Sequence, residues 1–388
     1  MQTETDRSSF FIALVAVDVL AGLADAMSGP YIVLFLVDQA RLDPLLLGAV
    51  LTARALGGIA FGTAFGAWFD RRTSVAPLLL ALAGSCAGYA LLGFTTDFAA
   101  LLVIAAFPVA IGAAAFSQSI ALVKRCFERA SVHTANRAIG VLRASWSLAW
   151  AIGPAVGAGI VAPLGYRGVF LMSGASSAIA LVSLALVWPR LDAGDTKHHG
   201  SHKKTSGGPA IALAFAALAL FHMAMFMGSI PLPIVITTSL GGATADVGLA
   251  MSLCAALEIV VMGALIWRPL KRGERAAIVV GFAAFVIYFN AIAFARSVSV
   301  VFWAQIFRAI GIALVTYLGI GFLQSLLPHR PGAAAALFSN SGQAGLVLAT
   351  GGFGLLAQQF GYASVFFACA ILSAAGLALV CLVRRDQG

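Results

Sequence analysis

Long apolar runs follow one another from residue 9 to residue 383, and few charges interrupt them. Only 10% of the 388 residues are charged and 61% are hydrophobic, whereas a soluble protein carries about a quarter charged residues. A helix needs about 20 consecutive apolar residues to cross the hydrocarbon of a bilayer, and in lipid its backbone polar groups must be satisfied within the helix. The chain is therefore predicted to be an all-α membrane protein that crosses the bilayer many times.

Twelve segments have the length and apolar character of membrane spans. They are residues 9–36, 44–69, 74–94, 98–122, 134–162, 168–188, 209–236, 246–267, 276–295, 298–323, 333–357 and 363–383. Cations are distributed unevenly between the two sides of these spans. Of the 24 Lys and Arg residues, 18 fall on one side, and only Arg41, Arg167 and Arg296 fall on the other.

Cytoplasmic loops carry the excess of Lys and Arg in membrane proteins, so both termini are predicted to be cytoplasmic. The net charge of +9 is then explained by orientation, and no nucleic acid is expected as a partner. The first apolar run is too long for a signal-peptide core and contains Asp18 and Asp25, so we expect no cleavage there.

A polar, basic stretch divides the predicted spans into six and six. The predicted domains are an N-terminal bundle at residues 1–190, a cytoplasmic linker at 191–208 and a C-terminal bundle at 209–388. Three linker histidines, His198, His199 and His202, are interpreted as solvated linker residues in preference to a metal site. No metal or cofactor is predicted elsewhere in the chain.

The two halves look like a sequence repeat. Gly165-Tyr166 opens the sixth span and Gly361-Tyr362 opens the twelfth, each followed by the same spacing to Val-Phe. Two similar six-helix halves in parallel orientation resemble the architecture of major facilitator transporters, which place the substrate near the middle of the membrane.

The second span ends in Gly66-x-x-x-Asp70-Arg71, which resembles the loop 2–3 signature of the major facilitator superfamily. The family form continues Arg-x-Gly-Arg-Arg, and here it is shortened to Arg71-Arg72-Thr73. The resemblance implies a cytoplasmic gate in which Asp70 caps a helix end or pairs with a cation. The alternative is a solvated loop acid.

The fifth span contains Ala149-x-x-x-Gly153-Pro154-x-x-Gly157, which resembles the antiporter motif of drug and sugar exporters. Small residues let membrane helices approach closely, and proline introduces a bend. We therefore expect Gly153, Pro154 and Gly157 to act in gating. The alternative is small-residue helix packing without any special role in transport.

The wider pattern is similar to the bacterial sugar efflux transporters of that superfamily. The matching segments are Leu142–Pro154, Gly248–Ile259 and Phe322–Asn340. This resemblance implies the twelve-helix major facilitator fold and proton-linked export of small sugars across the bacterial inner membrane. Arg54 and Arg308 depart from that family's pattern, which leaves an anionic substrate open.

Six charged residues lie deep within the predicted spans, near the middle of the membrane, where charges are costly and usually face a bundle interior or a wet cavity. By residue count along the helices, they form three pairs at common depths: Asp25 with Arg54, Asp18 with Arg143, and Glu258 with Arg308. Depth alone does not establish contact, because the rotation of each helix is unknown.

These residues suggest two tasks. Arg143 and Arg54 are expected to hydrogen-bond the substrate, because a guanidinium offers five donors. Glu258 or Asp25 is expected to exchange a proton, since low dielectric favours a neutral carboxyl and a nearby arginine favours a charged one. Arg308, Asn290 and Asn340 complete the candidate site. Static salt bridges and interhelical hydrogen bonds are the alternative reading.

The chain contains no Gly-Lys-Ser or Gly-Lys-Thr triplet, so a Walker A phosphate loop is absent and an ion gradient is the expected energy source. We interpret the chain as a proton-coupled exporter of sugars or related small polar metabolites, monomeric and not an enzyme. The alternatives are an exporter of drugs, amino acids, siderophores or organic anions, or a membrane-embedded enzyme or receptor.

Overall fold

The computed structural model describes residues 4–71, 74–127, 132–187, 208–268, 273–327 and 330–383. Within these residues, nine helices are long and apolar enough to cross a membrane. Two of them, Val132–Val187 and Pro331–Leu382, are broken at an internal glycine and so contain two spans each. A further apolar helix, Ala76–Leu92, has 17 residues. Together these segments supply the twelve predicted spans.

The first six helices are α1 Glu4–Asp38, α2 Pro44–Arg71, α3 Ala76–Leu92, α4 Phe98–Cys126, α5 (132–164) and α6 (166–187). The other six are α7 Pro209–Ser239, α8 Thr244–Trp267, α9 Glu274–Ala293, α10 Val298–Leu326, α11 (331–360) and α12 (362–382). The third span is shorter than predicted, because residues 93 and 94 turn out of the helix and Ala76 is its first helical residue.

The described helices form two compact units. The first unit contains α1 and, from residue 50 onward, α2 to α6, and the second contains residues 42–49 with α7 to α12. The predicted linker at residues 191–208 lies outside the described residues except for Gly208, which precedes α7.

In the first unit, α6 lies antiparallel to α1. The Tyr166 hydroxyl donates to Asp38 Oδ2 over 2.6 Å at the end of α1, and the Ser176 hydroxyl donates to the Leu20 carbonyl over 2.8 Å further back along it. The break between α5 and α6 is Gly165, with φ 64° and ψ −172°. Only glycine adopts this conformation readily.

The second unit repeats this turn at Gly361, with φ 78° and ψ 172°. Phe353 and Tyr362 flank it, and their ring centroids are 6.3 Å apart. In a straight helix, nine residues would separate them by about 13.5 Å, so the chain folds back at Gly361. The Gly-Tyr repeat seen in the sequence therefore marks the same turn in both halves.

The two units are filled differently. The first has a mainly aliphatic core that includes Leu14, Val17, Leu78, Leu82, Leu122, Leu142 and Leu184. The second buries a group of aromatic rings with centroids 4.7 to 5.5 Å apart, a spacing that aromatic pairs prefer: Phe221, Phe282, Phe285 and Phe289.

A close approach between α2 and α4 helps to place the polar groups of the first unit. A side-chain carbon added at Gly57 would lie 2.3 Å from the Ala106 carbonyl oxygen. That carbonyl belongs to a π-helical turn of α4, Ala105–Val109, which surrounds Pro108. Glycine at residue 57 therefore lets α2 approach α4 one turn beyond Arg54.

Candidate functional site

The first unit contains a polar cluster that joins three helices. Arg54 Nη2 on α2 lies 2.9 Å from Asp25 Oδ1 on α1. The Tyr89 hydroxyl on α3 donates to the same oxygen over 3.0 Å. Asp25 and Arg54, which the sequence placed at a common depth, are thus in direct contact.

This pair is only partly shielded. The side chains of Asp25 and Arg54 are each 27% exposed, whereas Tyr89 is buried. Hydrogen bonds in which one partner is ionised are shorter and stronger than neutral ones. The Asp25 carboxylate therefore links α1 to both α2 and α3.

Asp18 and Arg143 share a depth but not a contact. Asp18 is fully buried in the first unit, where neither carboxyl oxygen has a hydrogen-bond partner among the described residues and Ser119 is its polar neighbour. Arg143 is exposed on α5, and the described contacts include no ion pair for it. The rotations of α1 and α5 therefore separate two charges that depth alone would allow to pair.

The second unit has a buried arginine with neutral partners. Arg308 on α10 is 8% exposed. Its Nη2 donates to Ser229 Oγ over 2.7 Å, and its Nη1 lies 3.2 Å from Met251 Sδ and 3.4 Å from Gln305 Oε1. Its guanidinium carbon lies 5.8 Å from the centroid of the Tyr288 ring.

The remaining candidates of the second unit are more dispersed. Glu258 on α8 is partly exposed and lies within electrostatic range of Arg308, without an ion pair between them. Asn290 on α9 donates from Nδ2 to the Val286 carbonyl of its own helix over 2.8 Å. Asn340 is exposed on α11. Among the described residues, neither asparagine is hydrogen-bonded to Glu258 or Arg308.

The predicted gate residues of the second span lie at the end of α2. Asp70 and Arg71 are exposed, and a side-chain carbon added at Gly66 would meet nothing within 4 Å. No hydrogen bond or ion pair of Asp70 is seen among the described residues, and the following residues, Arg72 and Thr73, lie outside them.

The α5 motif packs directly against α1. A side-chain carbon added at Gly153 would lie 2.5 Å from Ala26 Cβ, and one added at Gly157 would lie 2.6 Å from Tyr31 Cε2. The Tyr31 hydroxyl donates to the Pro154 carbonyl over 2.8 Å. Pro154 stays within the helix, and the break in Val132–Val187 comes at Gly165 instead. The motif therefore forms a tight interface with the helix that carries Asp25.

The sequence analysis did not single out Tyr89, Ser229 and Tyr288, which lie in the polar clusters around Arg54 and Arg308. A buried tyrosine usually finds a partner for its hydroxyl, so Tyr89, within the apolar run of α3, was a usable signal. Ser229 carried no such signal, because serine is common in membrane helices.

Within the described residues, no cluster of three or more His, Cys, Asp or Glu side chains could hold a metal ion, and the linker histidines lie outside them.

Comparison with known proteins gives consistent results. Residues 14–260 match the family model described as Major Facilitator Superfamily. The chain is 33% identical over 380 residues to a Deinococcus radiodurans protein whose name assigns it to the sugar efflux transporters, covering 96% of this chain and 98% of that one. It is 26% identical over 377 residues to sugar efflux transporter A of Escherichia coli, covering 96% of each chain.

A solved structure is also similar in fold. The crystal structure of a mutant of the nucleoside transporter NupG superimposes with a TM-score of 0.80, covering 97% of this chain and 100% of that one. The two sequences are 11% identical, so this likeness concerns the arrangement of helices alone.

Proposed function

The chain belongs to the major facilitator superfamily of membrane transporters, and on that premise we propose that it exports sugars or related small polar metabolites in exchange for protons. It is a multi-pass protein of the bacterial inner membrane that carries a small-molecule substrate. In the proposed cycle its two halves open alternately to either side. We further propose that it acts as a monomer with both termini in the cytoplasm.

The substrate class is supported by the relatives and by chemistry. Relatives that cover 96% of this chain carry the name of sugar efflux transporters. A sugar presents many hydroxyl oxygens, and arginine offers five donors in a fixed fork. Arg143 is exposed although it lies within a span, and a charge at that depth is tolerated where it meets water or a polar ligand. We therefore assign Arg143 to substrate binding.

Proton coupling is supported chiefly by the Asp25–Arg54 ion pair, whose members are partly exposed within the membrane. A substrate hydroxyl can donate to the charged Asp25 carboxylate while Arg54 donates to a neighbouring substrate oxygen, whereas a proton on Asp25 removes that acceptor and disrupts the ion pair. Proton and substrate then compete for one site, as exchange requires, and each shifts the conformational equilibrium only by its differential affinity for the two states. Glu258, partly exposed and within range of Arg308, is the corresponding acid in the second unit.

The test measures substrate-dependent proton movement in everted membrane vesicles. Respiration acidifies the vesicle interior, so an added substrate of the exporter should enter while protons leave, and a pH-sensitive dye reports their exit. In Glu258→Gln we expect uphill accumulation to be lost while exchange of labelled for unlabelled substrate continues. Glu274→Gln, at the start of α9 and outside the proposed site, is the matched control.

Two results would contradict the proposal. Normal uphill accumulation in Glu258→Gln would remove Glu258 as a proton carrier. Transport without any proton movement, in the wild type and across the sugars, would remove proton coupling itself.

A further inference from the structure

We propose that Arg308 binds a carboxylate of the substrate, so that the preferred substrates are sugar acids rather than neutral sugars. This inference rests on the proposed transport function and narrows its substrate class. The observation that carries it is a buried guanidinium whose direct partners are all neutral.

The contrast between Arg308 and the partly exposed Arg54 is the first argument. Arg54 has a carboxylate at 2.9 Å. Arg308 is more shielded, at 8% exposure, yet it bonds a hydroxyl, a thioether and an amide oxygen. A guanidinium stays charged in proteins, and burying a charge with no counter-charge in direct contact is strongly unfavourable. A bound anion would remove that cost.

Glu258 does not complete the pair. It lies seven residues beyond Met251 along α8, which is about 10.5 Å of helix, while Met251 contacts the guanidinium directly. Glu258 therefore influences Arg308 over a distance and leaves its immediate surroundings neutral. Our proposed function gives Glu258 the proton, so Arg308 is left to serve the substrate.

The guanidinium has donors to spare. Its three hydrogen bonds to Ser229, Met251 and Gln305 use three of the five N–H groups that arginine offers. The thioether bond is a weak one, since sulfur is a poor acceptor. At least two donors thus remain for the two oxygens of a carboxylate, which arginine binds bidentately.

A second polar group beside the guanidinium also lacks a partner. The Tyr288 hydroxyl is buried next to Gln305 and makes no hydrogen bond among the described residues, although its side chain is only 1% exposed. Its ring lies against the Arg308 guanidinium. An unsatisfied buried hydroxyl is unfavourable, and a carboxylate bound at Arg308 would offer it an acceptor.

The charge of the site selects among anions. One guanidinium with neutral neighbours matches one negative charge, so a carboxylate fits better than a phosphate with its charge of about −2. Sugar acids combine such a carboxylate with the hydroxyls expected of the substrates.

The experiment compares acids with their neutral parent sugars. Everted vesicles containing the wild type are given labelled glucuronate, galacturonate or gluconate, and in parallel glucose, galactose or glucose 6-phosphate. We expect at least one acid to be transported with kcat/KM at least tenfold above that of its parent sugar. Arg308→Gln should lose at least tenfold in kcat/KM for that acid, whereas Arg308→Lys should retain part of it. Arg296→Gln, which removes an exposed arginine outside the spans, should match the wild type.

Folding is checked separately, because Arg308 is buried. Thermal unfolding of the detergent-purified wild type should shift upward with the preferred acid and not with its parent sugar, and this result does not depend on any variant. Preference for the neutral sugar, preference for the phosphate, or a folded Arg308→Gln with unchanged transport of the acid would each overturn the inference. Transport of neutral sugars alone would do so while leaving the proposed function intact. If neither transport nor stabilisation is seen with any of these compounds, both proposals fail.

Discussion

Replacing Gly153 with alanine tests the packing of α5 against the helix that bears Asp25. The new methyl carbon would lie 2.5 Å from Ala26 Cβ and 3.1 Å from the Ala26 carbonyl carbon. Carbon atoms pack best at about 3.5–4.0 Å, so the two helices must separate by about 1 Å. Because Ala26 follows Asp25, this movement also displaces the carboxyl from Arg54.

The expected loss of stability follows from a comparison with Gly159→Ala in the same helix. A side-chain carbon at Gly159 would meet nothing within 4 Å. Both substitutions gain the same helix propensity, about 0.8–1.0 kcal/mol, which cancels in their difference. Overpacking costs about 1–3 kcal/mol, so we expect Gly153→Ala to be less stable than Gly159→Ala by that amount.

The assay is unfolding of the detergent-purified variants by titration with sodium dodecyl sulfate, followed by circular dichroism. Substrate-dependent proton movement in vesicles is measured in parallel and should fall in Gly153→Ala only. Equal stability of the two variants would show that α1 and α5 are not held at this distance, and the reasoning would then be wrong.

Three other predictions concern the polar groups. Arg143→Ala should raise KM about tenfold or more, because it loses a hydrogen bond worth about 1.5–3 kcal/mol. Membrane insertion should not fall, and unchanged affinity would give Arg143 a structural role. A double-mutant cycle of Asp25→Asn with Arg54→Gln should yield a coupling energy of at least about 0.5 kcal/mol in the unfolding assay, and additive effects would contradict the ion pair. Tyr89→Phe should lower the free energy of unfolding by about 1.5–3 kcal/mol, because it loses a hydrogen bond to a carboxylate. Tyr288→Phe, measured without substrate, should leave the free energy of unfolding unchanged, and similar losses in both variants would contradict the difference in hydrogen bonding.

The sequence was sufficient for the positions of the helices and for the depths of the charges. Apolar length determines a span, and the rise per residue converts residue counts into depth. This is why residue counts alone place Asp25 and Arg54 at one level.

Contacts depend in addition on helix rotation, which is set by packing between distant segments. Asp18 turns into the core of the first unit while Arg143 is exposed, although residue counts place them together. Likewise, Arg308 reaches Ser229 on α7 rather than Glu258, and nothing in the local sequence of α10 indicates that choice.

The single-glycine turns at Gly165 and Gly361 have a mechanical consequence. A longer loop would let consecutive spans slide past each other, but one residue in a conformation reserved for glycine leaves almost no slack. Any shift of α5 during transport is transmitted at once to α6, and the same holds for α11 and α12. Export would then depend on movements of linked helix pairs rather than of independent helices. Lengthening either turn by a few flexible residues should slow the transport cycle without weakening substrate binding.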